Sequence, residues 1–257
     1  MIDYLKSNFI TEEKINVQEI PAIIFRPKEV KKPIPTIILY HGWSSNKGFQ
    51  RLRGFLLSSV GYQVVLPDAI YHGERNALSD YDMEDAIKYF WDIIFKNLEE
   101  FSIIEKELVS KYNADSERIA VMGNSMGGFT AGGIFTHNEQ VKTLIVLSGS
   151  CAWEYFNNNI EYMPPEKLKI FKGKAEEKIK DLEPINHLNV LKDRPILLLH
   201  GDSDTVVSVE CQRFFYNKLY PMYRDKEKIK LIEYPRLNHF ITTNMIEECI
   251  NWLGRYL

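Results

Sequence analysis

The feature that constrains this chain most is a repeated alternation. Short runs of β-branched and aliphatic residues are separated by longer stretches whose apolar residues recur at helical spacing. The runs TIILY (36–40), IAVMG (119–123), TLIVL (143–147) and ILLLH (196–200) have no polar face. A strand apolar on both sides must be covered on both sides, and helices that return the chain between parallel strands supply that cover. Strands are expected at 14–20, 22–26, 36–40, 63–67, 118–122, 142–147, 195–200 and 228–234. Pro21 separates the first two, which read as an antiparallel hairpin at one edge. Helices are expected at 49–60, closed by Gly61, at 82–112, and at 243–257, where Ile246, Ile250, Leu253 and Leu257 form one stripe. The expected architecture is therefore an α/β fold with a mostly parallel eight-stranded sheet flanked by helices.

One segment breaks the rhythm. Residues 151–192 occupy a place where a short crossover would suffice. They are rich in aromatic, Asn and charged residues. We read them as a small helical cap over the carboxyl end of the sheet. No repeat or linker divides the chain, so 1–257 reads as one domain carrying that insertion.

Composition excludes several function classes. The net charge is −3 and no basic block occurs, which argues against a nucleic-acid partner held by phosphate neutralisation. Residues 1–14 mix charges with short apolar stretches and lack the apolar region of a signal peptide. No uninterrupted apolar segment approaches the ~18 residues of a membrane span, so no membrane partner is expected. Cys151, Cys211 and Cys249 are widely spaced without a C-x-x-C pair, which fits reduced thiols and a cytoplasmic location. H-E-x-x-H and other metal-ligand spacings are absent, and neither a metal nor an organic cofactor is expected.

The chemistry concentrates at strand ends. The run IAVM leads into Gly123-Asn124-Ser125-Met126-Gly127-Gly128, followed by a helix-compatible stretch. This is G-x-S-x-G in a strand–turn–helix setting, where a tight turn needs glycines beside the serine and lifts its hydroxyl above the sheet. A serine hydroxyl is a poor nucleophile without a base, and the base needs an acid to orient it. The strand at 195–200 ends in His200-Gly201-Asp202-Ser203-Asp204, so two carboxylates are placed to act as the acid. The last strand is followed by Pro235-Arg236-Leu237-Asn238-His239-Phe240, which makes His239 the candidate base, in a loop at the carboxyl end of the sheet.

The other histidines read differently. His137 lies on a helix surface, and His187 anchors the cap. His41 and His200 each end a strand before Gly and hold loops by hydrogen bonding. His72 lies in a strand-end loop where a substrate-binding role is open.

Together, Tyr40-His41-Gly42-Trp43, the stretch from Pro67-Asp68 to His72-Gly73-Glu74-Arg75, the serine motif, the run from His200 to Val207 and Asn238-His239-Phe240 resemble the α/β-hydrolase family. Within it, they are similar to esterases of the prolyl-oligopeptidase and dienelactone-hydrolase-like branches. The resemblance extends from about Thr36 to the C-terminus. It implies that Asp204, not Asp202, is the acid, and that the backbone N–H groups of Trp43 and Met126 form an oxyanion hole. The chain departs from some relatives. It lacks an HGGG run, has Ser where dienelactone hydrolases use Cys, and carries no propeller domain.

The resemblance thus implies a serine esterase acting on a small-molecule ester through an acyl-enzyme, with Ser125, His239 and Asp204 as the triad. Alternatives are hydrolysis of small peptides or acyl-peptides by the same triad, acyl transfer to an alcohol or amine, and a non-catalytic binding protein of this fold. Trp153, Tyr155 and Phe156 either line the substrate pocket or only pin the cap. If they line it, a compact cap favours short acyl esters of about two to six carbons.

Overall fold

The computed structural model describes residues 7–30 and 32–257. The reading of residues 1–14 falls partly on 1–6, which lie outside the described residues. Eight strands form one sheet in the order β1-β2-β4-β3-β5-β6-β7-β8. They are β1 (Ile10–Val17), β2 (Ile20–Pro27), β3 (Ile34–Tyr40), β4 (Gln63–Pro67), β5 (Ala114–Asn124), β6 (Thr143–Leu147), β7 (Ile196–Gly201) and β8 (Ile229–Tyr234). β2 pairs antiparallel with both β1 and β4, while all pairings from β4 through β8 are parallel.

The edge hairpin is displaced from the expected position. Its first strand is Ile10–Val17, and the turn lies at Gln18 and Glu19, with Gln18 at φ 52°. Pro21 belongs to β2 rather than to the turn. It faces Asn16 of the edge strand, and its carbonyl accepts the Asp68 N–H at 2.9 Å. A proline that donates nothing is tolerated close to a sheet edge. The polar run Thr11–Lys14 concealed the start of this strand because its side chains remain partly exposed.

The helices follow their caps. α1 (Arg51–Ser59) stops before Gly61, whose φ of +106° suits only glycine. α2 (Met83–Lys111) starts at Asp82, whose carboxylate accepts the Asp85 N–H. α3 (Met126–His137) follows the serine directly. Between β6 and β7 run α4 (Trp153–Asn158), α5 (Pro165–Gly173), α6 (Glu176–Leu182) and α7 (Leu188–Leu191). α8 (Glu210–Leu219) precedes β8. α9 (Thr243–Tyr256) is capped by the Thr242 hydroxyl.

Strand alternation splits the core in two. Ile37, Leu39, Val64, Leu66, Leu197 and Leu199 face α1 and α9, where Leu57, Met245, Cys249 and Leu253 meet them. Ile38, Val65, Val121, Leu144 and Leu198 face α2, α3 and α8 through Phe101, Ile134, Phe135 and Phe215. A third cluster lies where α2 and α3 meet the inserted helices, and it contains Trp91, Phe129, Trp153, Phe156 and Phe171. Burial on both faces fixes the strand register, because a one-residue slip would exchange the two core sets. Among the described residues, no helix is long and apolar enough to cross a membrane.

Candidate active site

Ser125 occupies the single residue between β5 and α3, at φ 52° and ψ −125°. That conformation costs a non-glycine residue roughly 1–3 kcal/mol, and the surrounding contacts must hold it. The Ser125 N–H donates to the Leu147 carbonyl of β6 at 2.9 Å, and its own carbonyl accepts the Gly128 N–H at 2.7 Å. The flanking glycines are required by space. A Cβ on Gly123 would lie 1.9 Å from the Gly127 carbonyl oxygen, and one on Gly127 would lie 2.2 Å from the Tyr40 carbonyl oxygen. The first turn of α3 therefore rests directly on the end of β3.

This close approach brings the loop after β3 beside the serine. A Cβ on Gly42 would meet the Ser125 Cβ at 3.2 Å. His41 locks the loop from below. Its Nδ1 donates to the Gly42 carbonyl at 2.8 Å, and its Nε2 accepts the Ala69 N–H at 3.0 Å. Burial pushes the His41 imidazole down to about 4, as expected for a ring fully satisfied in its neutral form. Asp68 adds a second lock, accepting the Lys47 N–H at 2.9 Å and pairing with the buried Lys47 ammonium. Trp43 Nε1 donates to the Tyr81 carbonyl at 2.9 Å. Among the described residues, the backbone N–H groups of Trp43 and Met126 donate to no protein acceptor, so both are available to an external oxygen.

Asp204 follows β7 and His239 follows β8. Asp204 Oδ2 lies 2.7 Å from His239 Nδ1, while Oδ1 accepts the N–H groups of Val206 and Val207, each at 2.9 Å. Burial alone would raise the Asp204 carboxyl. The hydrogen bonds from His200, His239 and Val207 outweigh it and hold the group well below the usual carboxylate range. With Nδ1 facing the carboxylate, His239 Nε2 has no hydrogen-bond partner among the described residues, and the side chain is 22% exposed. No hydrogen bond joins the Ser125 hydroxyl to His239. Such contacts often close only when substrate is bound. Asp202 is engaged elsewhere, accepting the Arg236 N–H at 2.7 Å and the Ser203 hydroxyl at 2.8 Å.

Asn238 was not singled out by sequence reasoning. Its Oδ1 accepts the N–H groups of His239 at 2.7 Å and of Thr205 at 3.0 Å. It thereby ties the loop carrying His239 to the loop carrying Asp204. The only signal was its position immediately before the histidine.

A cavity at this end of the sheet has a volume of about 570 Å³. Trp43, Phe90, Phe156, Tyr162, Met163 and Phe171 supply much of its wall, and Thr205 and Val206 bring it to the Asp204 loop. Ser125 and His239 are not among the residues that line it. Of His72, Trp153, Tyr155 and Phe156, only Phe156 lines the cavity. Trp153 is fully buried, donates from Nε1 to the Ser150 carbonyl at 3.1 Å and packs on Trp91. Tyr155 stacks on Phe214 of α8, with ring centroids 4.5 Å apart. His72 is also fully buried, beneath the rings of His41, Trp43 and Tyr81, and its Nδ1 meets the Ile70 carbonyl. His72 and Trp153 pack behind rings that line the cavity, whereas Tyr155 lines a separate cavity with Phe214. Met83, Phe90 and Phe171 were missed, because α2 and α5 meet only in the fold. His137 and His187 accompany the inserted helices, bonding to the carbonyls of Leu182 and Asp181.

Comparison with known proteins agrees with this fold. Residues 56–256 match the prolyl oligopeptidase family. YitV of Bacillus subtilis (strain 168) is 29% identical over 254 residues, covering 95% of this chain and 98% of that protein. The protein named Esterase YjfP, from Escherichia coli (strain K12), is 27% identical over 252 residues with the same coverage. The crystal structure of TT1662 from Thermus thermophilus superposes with a TM-score of 0.77 at 17% identity, covering 96% of this chain and 97% of that one. With its sheet, elbow and matched residues taken together, this chain belongs to the prolyl oligopeptidase family and is a serine hydrolase of the α/β-hydrolase fold.

Proposed function

We propose that this protein hydrolyses carboxylic esters through an acyl-enzyme on Ser125. The observation that carries this reading is the 2.7 Å contact between Asp204 and His239, at the same sheet end as a serine held in a strained turn. His239 Nε2 takes the Ser125 proton as Oγ bonds to the ester carbonyl carbon, and the carbonyl electrons move to oxygen. The N–H groups of Trp43 and Met126 receive that oxyanion. The C–O bond to the alcohol then breaks, and His239 returns its proton to the departing oxygen. Water repeats the two steps and releases the acid, while Asp204 stabilises the imidazolium throughout. No step needs a cofactor.

The ester assignment draws support from the relative named as an esterase. Its competitor, cleavage of small peptides or acyl-peptides, draws support from the family itself. Turnover of matched ester and amide substrates decides between them. In this reading, α4 to α7 form a cap on a single domain and select the substrate. A cavity of about 570 Å³ lies within the range that encloses whole small molecules. It therefore suits a short acyl chain joined to a bulkier apolar or aromatic group. Three buried, unpaired cysteines fit the reducing cytoplasm.

A further inference from the structure

Asp204 Oδ2 faces two imidazoles. Besides His239 Nδ1 at 2.7 Å, His200 Nε2 lies 3.2 Å away, and both side chains of this second pair are completely buried. His200 Nε2 also lies 2.7 Å from the Val207 carbonyl oxygen. A carbonyl oxygen only accepts, so Nε2 carries a proton directed at that oxygen, with the carboxylate oxygen 3.2 Å from the same nitrogen. The other ring nitrogen, Nδ1, is buried without a partner, so nothing holds the ring in the opposite tautomer. The remaining charged group facing the ring is Glu233, its register partner on β8. Glu233 is engaged by Arg213, with Nε to Oε1 at 2.8 Å.

We propose that His200 is a positioning residue for the triad, acting through Asp204 as a second N–H donor to the oxygen that orients His239. This inference rests on the triad reading above. Four N–H groups saturate the carboxylate: two backbone donors on Oδ1 and two imidazole donors on Oδ2. The donor from His200 fixes the carboxylate rotamer, so that Oδ2 remains aimed at Nδ1 of His239. It also withdraws negative charge from Oδ2 and so weakens the stabilisation of the His239 imidazolium. Removing it leaves a carboxylate that is freer to rotate and accepts more strongly. The first effect slows turnover, and the second moves the acid limb of the pH–rate profile upward.

The experiment compares the parent, His200→Leu and His200→Gln using an activated short-chain ester. Active sites are counted by fluorophosphonate labelling. In His200→Leu, kcat per labelled site is expected to fall about tenfold with KM within about twofold. The acid limb of kcat/KM should move up by about half a unit or more. His200→Gln places an amide N–H near Nε2 and should bring the limb back towards the parent. An acid limb unmoved in a labelled His200→Leu protein would overturn the proposal. If that variant fails to fold, ¹⁵N imidazole spectra of the parent decide. A proton on His200 Nε2 supports the proposal, and a proton on Nδ1 overturns it. Failure of the parent to be labelled at Ser125 would instead count against the triad itself, so the two failures are distinguishable.

Discussion

The Asp204 carboxylate meets the His239 imidazole at 2.7 Å although the two residues are 35 positions apart and lie on different loops. The β7–β8 pairing sets the two loops side by side, and Asn238 ties one to the other. Asp202 is two residues from Asp204 but bonds the Arg236 N–H instead. Asp204→Asn should therefore lower kcat by about 10⁴, because an amide cannot hold the required tautomer. Asp202→Asn should change it only a few-fold. The reverse ranking in steady-state assays would show that the acid has been misassigned.

The turn itself gives a second expectation. Gly127 packs on the carbonyls of Tyr40 and His41, where an added Cβ would lie at 2.2 and 2.7 Å. Backbone atoms cannot rotate away as a side-chain tip can. Gly127→Ala should cost at least about 2 kcal/mol by chemical denaturation. By moving α3 away from Trp43, it should also reduce kcat about a hundredfold. A variant with parent stability would mean that the loop after β3 yields more readily than its contacts imply.

Two aromatic residues three positions apart on α4 should behave oppositely. Trp153 is fully buried and fills space against Gly133 and Trp91, whereas Phe156 reaches the cavity. Trp153→Ala should lower stability by about 3–5 kcal/mol. Phe156→Ala, at a smaller cost in stability, should change the ratio of rates between short acyl esters and bulky aromatic ones. Unaltered selectivity in Phe156→Ala, and likewise in Phe171→Ala, would remove the cavity as the selector.

Acidification should weaken the fold before the site carboxylate titrates. The His41 imidazole sits at about 4, lowered first by burial, against about 6.5 in an unfolded chain. Between those values, the unfolded chain binds the extra proton. Stability is therefore full above about pH 6.5 and is lost as pH falls towards 4, by roughly 3 kcal/mol. Burial lowers His72 as well, with the same sign. Asp204, held below its usual range, contributes stability that disappears only at still lower pH. Thermal melts across pH 4–7 test this, and His41→Gln should flatten the profile. A flat profile in the parent would show that both rings gain protons without cost.

Much of the sheet was legible because its central strands are apolar on both faces, and only a doubly covered sheet accommodates that pattern. The first strand was misplaced, since an edge strand with polar side chains carries no such mark. The serine turn was legible for a local reason: glycines at 123 and 127 are needed where backbones nearly touch. The loops bearing Asp204 and His239 could be located at strand ends, but the choice between Asp202 and Asp204 rested on resemblance. The pocket was much less legible. Trp153, Tyr155 and Phe156 crowd a six-residue helix, too short for its period to reveal which ring faces the cavity. Their neighbours Phe90 and Phe171 come from helices that only the tertiary fold brings together.

The most direct test of the central claim is covalent. The protein should be treated with a fluorophosphonate, digested and mapped by mass spectrometry, with Ser125→Ala in parallel and both proteins assayed on an ester. One adduct is expected, on Ser125. The alanine variant should stay folded, take no label and lose several orders of magnitude in kcat. Label on another residue, or an alanine variant that retains the parent rate, would contradict the assignment of Ser125 as the nucleophile.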